Sequence, residues 1–129
     1  MIKVLVCGGR TYDDRDYLFK TLDGICLKRG WILHSQGETS WLPDVFIIAG
    51  KAKGADTLAV DWAVTNRCYF KEYPADWNKY GRRAGYVRNQ QMLDGGKPDV
   101  VIAFPGGAGT AMMKDIARKA GVEVIEIAQ

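Results

Sequence analysis

The chain has 129 residues, of which 47% are apolar and 26% charged, and its net charge of +3 comes from 18 basic and 15 acidic residues. This composition is typical of one globular domain, which we expect to cover residues 1–129. It excludes a membrane-spanning protein, because no apolar run approaches the roughly 20 residues that a bilayer requires. The opening run MIKVLVCGGR reads as a strand and not as a secretory signal, so we expect a cytoplasmic location.

The cysteines and basic residues limit which metals, cofactors and anionic ligands we expect this protein to bind. Cys7, Cys26 and Cys68 are widely spaced and the chain has one histidine, so we expect reduced, mostly buried thiols, no metal site and no cofactor. Basic residues form local groups at 51–53 and 82–88 but no continuous stripe. Two small groups of this kind suit a small anion better than a long polyanion.

Strand-like and helix-like patterns alternate from end to end. In chain order they predict a strand at 2–7, a helix at 14–29, a short strand at 31–34, an exposed loop at 35–44, a strand at 45–50, a helix at 55–66, a strand at 69–74, an irregular segment at 75–82, a helix at 83–94, a strand at 99–104, a helix at 109–120 and a strand at 122–127. This alternation predicts an α/β fold, a doubly wound, mostly parallel sheet between two layers of helices. Ligands of such sheets bind beyond the carboxyl ends of the strands, which places the site in the loops after residues 7, 49, 74 and 104.

The first of these loops is GGR. Gly8 and Gly9 permit a close approach to the backbone, and the planar guanidinium of Arg10 can hold a phosphate. A Gly-Gly pair at this place is more often only a turn. The loop also lacks the GxGxxG fingerprint, so it does not predict a dinucleotide cofactor.

The second loop is GKAKGAD, in which Lys51, Lys53 and Gly54 precede a helix that starts with Ala55 and Asp56. Free N–H groups and the positive end of a helix dipole suit an anion. Asp56 has two interpretations, an N-terminal cap, which we favour slightly, or an acceptor for a ribose hydroxyl. A Walker A sequence is absent.

The third loop, which begins at PADW, carries an aromatic ring and several cations. Trp77 either stacks on a base or closes the edge of the core, and the sequence favours neither. Arg83, Arg88 and Asn89 are candidates for contact with a phosphate, although a solvated helix face is the usual explanation for such residues.

The fourth loop, FPGGAGT, is the strongest signal for phosphate binding in the chain. Pro105 stiffens the exit from a strand, and Gly106, Gly107 and Gly109 leave backbone amides uncovered. Thr110 adds a hydroxyl in the first turn of a helix that has no acid there. This combination is typical of an anion site at a helix start.

Taken together, the loops resemble those of the SLOG superfamily, most closely its YspA/YpsA-related branch. The matching segments are GGR at 8–10, GKAKGAD at 50–56, PADW at 74–77, AGYVRNQQML at 84–93 and FPGGAGTAMM at 104–113. The resemblance covers essentially the whole chain and implies a Rossmann-like fold. It also implies a pocket for a nucleotide or a nucleotide-derived ligand, such as ADP-ribose or a cyclic nucleotide, and self-association into a dimer or larger homo-oligomer.

The same resemblance bears on catalysis. Relatives of the cytokinin-activating phosphoribohydrolase type carry PGGxGTxxE, and their catalytic glutamate corresponds to Met113 here. A thioether cannot exchange protons, so we expect a binding protein that senses, carries or sequesters its ligand. An N-glycosidase that uses Asp56 or Asp76 is the alternative. Single-stranded nucleic-acid binding ranks third, because the DNA-processing protein DprA shares the superfamily.

Overall fold

A computed structural model describes residues 1–33 and 41–129. Most of the predicted 35–44 loop therefore lies outside the described residues. The elements are, in chain order, β1 (Ile2–Cys7), α1 (Arg15–Arg29), β2 (Val45–Gly50), α2 (Ala55–Thr65), β3 (Tyr69–Tyr73), α3 (Trp77–Tyr80), a 3₁₀ turn (Gly81–Arg83), α4 (Ala84–Gly96), β4 (Val100–Ala103), α5 (Ala108–Lys119) and β5 (Glu123–Glu126).

The five described strands form one sheet in the order β3-β2-β1-β4-β5. Every neighbouring pair in it is parallel. The α/β, doubly wound, Rossmann-like fold is thus confirmed. The strand order reverses between β1 and β4, which is where this class of sheet opens a crevice for a ligand.

Side chains alternate along β1 and supply two separate cores. Val4 and Val6 belong to the cluster on the α1/α2 side, which has the fully buried Trp62 at its centre. Leu5 points the other way and packs in the α4/α5 cluster with Met113. Successive residues of a strand face opposite sides, and both sides of β1 are covered by a core. The strand is therefore a continuous apolar run from Val4 onward. The predicted arrangement of a sheet between two helical layers follows directly.

Both ends of α1 lie where the sequence predicts them, at Asp14 and Gly30. The carboxylate of Asp14 accepts a hydrogen bond from the Tyr17 backbone N–H at 3.1 Å, as expected of an N-terminal cap. The helix stops at Gly30, whose φ of 71° is left-handed and therefore easy only for glycine.

Three segments differ from the prediction. The expected strand at 31–34 is reduced, in its described part, to one antiparallel bridge between Ile32 and Pro43. The prediction of an irregular 75–82 segment was wrong, because the carboxylate of Asp76 accepts from the Lys79 N–H at 3.0 Å and starts the single turn of α3. Helix α4 continues to Gly96, which packs closely against Ile48, so that a Cβ there would lie 3.0 Å from the end of the Ile48 side chain. Among the described residues, no helix is long and apolar enough to cross a membrane.

Candidate functional site

A cleft of about 380 Å³ lies at the β1/β4 crevice. The loops after β1, β2 and β4 meet there, together with the first half of α4. It brings together most of the predicted site residues, namely Gly8, Gly9, Arg10, Asp56, Trp77, Arg88, Asn89, Gly107, Gly109 and Thr110.

The other predicted site residues lie around this cleft. Lys51 and Lys53 line an adjoining cavity of about 320 Å³. Pro105 and Gly106 line a cavity of about 520 Å³ beside the start of α1. The three remaining residues, Gly54, Ala55 and Arg83, line none of these cavities.

The glycines of the fourth loop serve different purposes. A Cβ on Gly106 would collide with the Thr110 side chain and lie 2.7 Å from the Gly9 nitrogen, so close packing requires glycine there. A Cβ on Gly107 or Gly109 would meet no atom within 4 Å. Gly106 therefore holds the loop against its neighbour, whereas Gly107 and Gly109 leave open space over the backbone.

The start of α5 leaves N–H groups available to the cleft. Gly107 is the N-cap and provides no side-chain acceptor, and the first turn contains no acid. Among the described residues, no backbone carbonyl accepts from the N–H of Ala108 or Gly109, and the first bond runs from Ala111 to the Gly107 carbonyl at 3.0 Å. Uncovered amides at the positive end of a helix form an anion site.

The start of α2 is organised differently. The Ala55 N–H, which we expected to be free for an anion, donates to the Gly9 carbonyl at 3.2 Å. Gly54 has a φ of 84°, and a Cβ there would collide with the same carbonyl. A Cβ on Gly8 would lie 2.6 Å from that of Ala55. Close packing at Gly8, Gly54 and Ala55 therefore fixes the loop after β1 against the start of α2, and the Gly9 carbonyl accepts the hydrogen bond between them.

Asp56 is not the helix cap that the sequence favoured. Gly54 is the N-cap of α2, and Asp56 lies inside the first turn with 8% of its surface exposed. Burial raises the pKa of Asp56 to about 7, while the Arg88 charge, a hydrogen bond from the Ala52 backbone and the Arg10 charge oppose that rise. The carboxyl group at the base of the cleft is thus poised between its neutral and ionised forms near pH 7.

Arg88 and Asn89 join three elements. The Arg88 Nε donates to the Asn89 Oδ1 at 3.0 Å, and its Nη1 donates to the Tyr73 carbonyl at the end of β3 at 3.3 Å. The Asn89 Nδ2 donates to the Gly109 carbonyl at 3.1 Å. With exposures of 8% and 6%, these two side chains do not belong to a solvated helix face.

Trp77 and Arg10 form the mouth of the cleft. The Arg10 guanidinium lies 5.4 Å from the centroid of the Trp77 ring, a cation–π distance. Trp77 remains 49% exposed, so the interpretation that it closes the core is wrong. An exposed aromatic ring beside a cation offers a base a surface for stacking.

Two comparisons with known proteins bear on this arrangement. The family model for the YspA, cpYpsA-related SLOG family matches residues 2–80. The chain belongs to this SLOG family. It is also similar to the Gene 61 protein of Mycobacterium phage D29, with 33% identity over 132 residues, which cover 97% of this chain and 95% of the phage protein. The family match includes the first two loops and the start of the third, and the phage match spans nearly the whole chain.

Sequence reasoning missed part of the cleft wall in this SLOG-family chain. The additional lining residues are Cys7, Ala52, Gly85, Tyr86, Met92, Ala108 and Met113. Helical spacing could have found two of them, because Gly85 and Met92 lie three residues before and four after Arg88 on one face of α4. Of the basic group that the sequence indicates at 82–88, Arg82 and Arg88 line the cleft and Arg83 does not.

Three further candidate groups, the Met113 thioether, the Cys7 thiol and the Asp76 carboxylate, do not offer an acid or base to the cleft. Met113, at the position of the glutamate in the phosphoribohydrolase pattern, is 1% exposed and packs in the core under the cleft. Burial raises the pKa of Cys7 to about 12, which keeps this thiol protonated. Asp76 caps α3 and does not line the cleft. Within the described residues, no three His, Cys, Asp or Glu side chains meet as a metal site requires.

Proposed function

We propose that this protein binds a nucleotide or a nucleotide-derived ligand without cleaving it, and so acts as a sensor, carrier or sequestering protein. One observation carries the proposal. The uncovered amides at the start of α5, the buried Arg88 and the exposed Trp77 ring all line one cleft of about 380 Å³. Pockets for small ligands have this character, with a few convergent polar groups in a concave and mostly preformed wall.

Each part of such a ligand has a partner in the cleft. A phosphate fits at the N–H groups of Ala108 and Gly109, where helix dipole and backbone donors act together. The base fits against Trp77. Asp56 lies at the base of the cleft and can accept from a ribose hydroxyl when ionised. A phosphate alone would leave the aromatic ring without a role.

Calorimetric titration with AMP, ADP, ADP-ribose, a cyclic nucleotide and inorganic phosphate tests the proposal. We expect Trp77→Ala to weaken nucleotide binding about tenfold, since stacking on a ring contributes about 1–3 kcal/mol, and to leave phosphate binding unchanged. Tyr69→Ala is a matched control, because Tyr69 is a 70% exposed aromatic residue on β3 outside the cleft. A folded protein that binds none of these nucleotides at millimolar concentration contradicts the proposal.

One observation favours a second candidate, hydrolysis of the N-glycosidic bond of a nucleotide. A carboxyl group with a pKa of about 7 in a cleft has the property of a general acid–base catalyst. Release of free base from nucleoside monophosphates, abolished by Asp56→Asn, would support this reaction. We rank it second because Met113, at the position of the glutamate in the phosphoribohydrolase pattern, provides no acid to the cleft.

A further inference from the structure

A second cavity adjoins the main cleft, and its wall is strongly basic. Arg10, Lys51, Lys53 and Arg88 all line this cavity of about 320 Å³. Among the described residues that line it, none carries a carboxylate. Asp56 lines the main cleft only.

In the described part of the chain, none of these four cations takes part in a salt bridge. Asp56 is the acidic group whose charge acts on Arg88, and it lies outside this cavity. Like charges that line one cavity repel each other: burial and, to a smaller extent, the Arg10 charge lower the pKa of Arg88, while the Asp56 charge acts against this lowering. An anion in the cavity would relieve that repulsion.

Arg88 connects the two cavities. Only 8% of its surface is exposed, and its side chain lines both cavities. Its Nε and one Nη1 proton are taken by Asn89 and Tyr73, whereas its Nη2 has no acceptor among the described residues. A guanidinium stays charged at physiological pH, so the remaining N–H donors of Arg88 can bind an anion in either cavity.

Trp77 and Arg10 also line both cavities and form the wall that they share. A ligand that occupies both cavities can therefore place its uncharged part against the Trp77 ring. Two adjacent phosphates would place both charges on one side of this wall. Two phosphates separated by a ribose would place one charge on each side.

We propose that the ligand is a nucleoside with phosphates at two separate positions of its ribose. One phosphate lies on the amides at the start of α5, and the second lies among Lys51, Lys53 and Arg10. This inference rests on the proposed function and specifies the ligand class of the same site.

Calorimetry with AMP, ADP and adenosine 3′,5′-bisphosphate tests the inference. We expect the bisphosphate to bind about tenfold or more tightly than both AMP and ADP. The double variant Lys51→Met/Lys53→Met should lose that preference, so that it binds the bisphosphate no more tightly than AMP. Both lysines are exposed, so the fold should tolerate the change. Lys20→Met/Lys28→Met removes the same charge from exposed positions on α1 and should keep the preference.

The outcomes separate the two proposals. Equal affinity for AMP and the bisphosphate, or a preference that survives in Lys51→Met/Lys53→Met, overturns the second phosphate position and leaves nucleotide binding intact. Loss of the preference in the α1 control shows a general charge effect and also overturns it. A folded protein that binds none of the three nucleotides overturns both proposals.

Discussion

At the scale of single residues, alanine substitutions at two glycines can distinguish an effect on ligand binding from an effect on stability. Gly109 lies in the first turn of α5 and Gly24 in the middle of α1, and a Cβ at either would meet no atom within 4 Å. Replacing a helical glycine by alanine reduces the entropy of the unfolded chain. Both Gly109→Ala and Gly24→Ala should therefore raise the free energy of unfolding by about 0.5–1 kcal/mol.

Only Gly109→Ala should affect the ligand, because its methyl group enters the space over the α5 amides. We expect AMP affinity to fall about tenfold in Gly109→Ala and to stay unchanged in Gly24→Ala. Calorimetry and urea unfolding of the two variants measure both effects. Equal AMP affinity in the two variants would mean that the phosphate does not contact these amides.

Asp56 predicts a dependence of stability on pH. Its pKa rises from 3.8 to about 7 in the folded protein because of burial and, to a small extent, Glu72, while Arg88 and Arg10 act against the rise. Between these two values the folded state holds a proton that the unfolded state has released. The Asp56 contribution to the free energy of unfolding should therefore decrease as pH rises from 3.8 to about 7 and stay constant above.

The matched variant is Asp56→Asn, which cannot ionise. Urea unfolding at a series of pH values should give a shallower decrease for Asp56→Asn than for the unmodified protein over this interval. Parallel curves for the two proteins would show that burial does not raise the pKa of this carboxyl group.

At the scale of elements, α1 and α2 are joined by one hydrogen bond at the core. The indole Nε1 of the fully buried Trp62 donates to the Asp23 Oδ1 at 2.9 Å. Asp23→Ala would leave a buried donor without an acceptor and should lower the free energy of unfolding by about 1–3 kcal/mol. Asp23→Asn keeps an acceptor oxygen and should cost less than half of that. A loss of the same size in both variants would show that this bond does not stabilise the pair of helices.

Element boundaries could be predicted wherever one local signal decided them. Strands β2 and β4, and β1 from Val4 onward, are buried on both faces and are therefore apolar in sequence. The Asp14 cap and Gly30 define α1 in the same local way. Helix α3 is a single turn, which is too short to produce a helical period, and its start depends on one hydrogen bond to Asp76.

The roles within the loops could not be predicted, because they depend on partners far away in the chain. The surroundings of Asp56 include Arg88, which is 32 positions later and on another element, and whose charge lowers the pKa of this carboxyl group against the effect of burial. Gly106 and Gly107 look alike in sequence. They differ in the structure because the Gly9 N–H donates to the Pro105 carbonyl at 2.9 Å and brings the β1 loop against Gly106 alone.

At the scale of the whole molecule, residues on both sides of position 80 build the cleft. Residues up to 80 supply Arg10, Asp56 and Trp77, whereas residues after 80 supply Arg88 and the amides at Gly109. The match to the SLOG family model ends at residue 80, so it covers only the first of these two groups. The fold of residues up to 80 depends on the residues after 80, because β4 pairs with β1 in the middle of the sheet.

A fragment of residues 1–80 should therefore not fold on its own. In it Leu5, Cys7 and Ile48 would lose the α4/α5 core against which they pack, and β1 would become an edge strand with an uncovered apolar face. We expect the fragment to show no cooperative thermal transition by circular dichroism, in contrast to the full chain. It should bind neither AMP nor adenosine 3′,5′-bisphosphate, because it has lost Arg88 and the α5 amides. A cooperative transition in the fragment would contradict the single domain that we expect over residues 1–129, and would show that the helical layer of α4 and α5 is an addition to a core that is already complete.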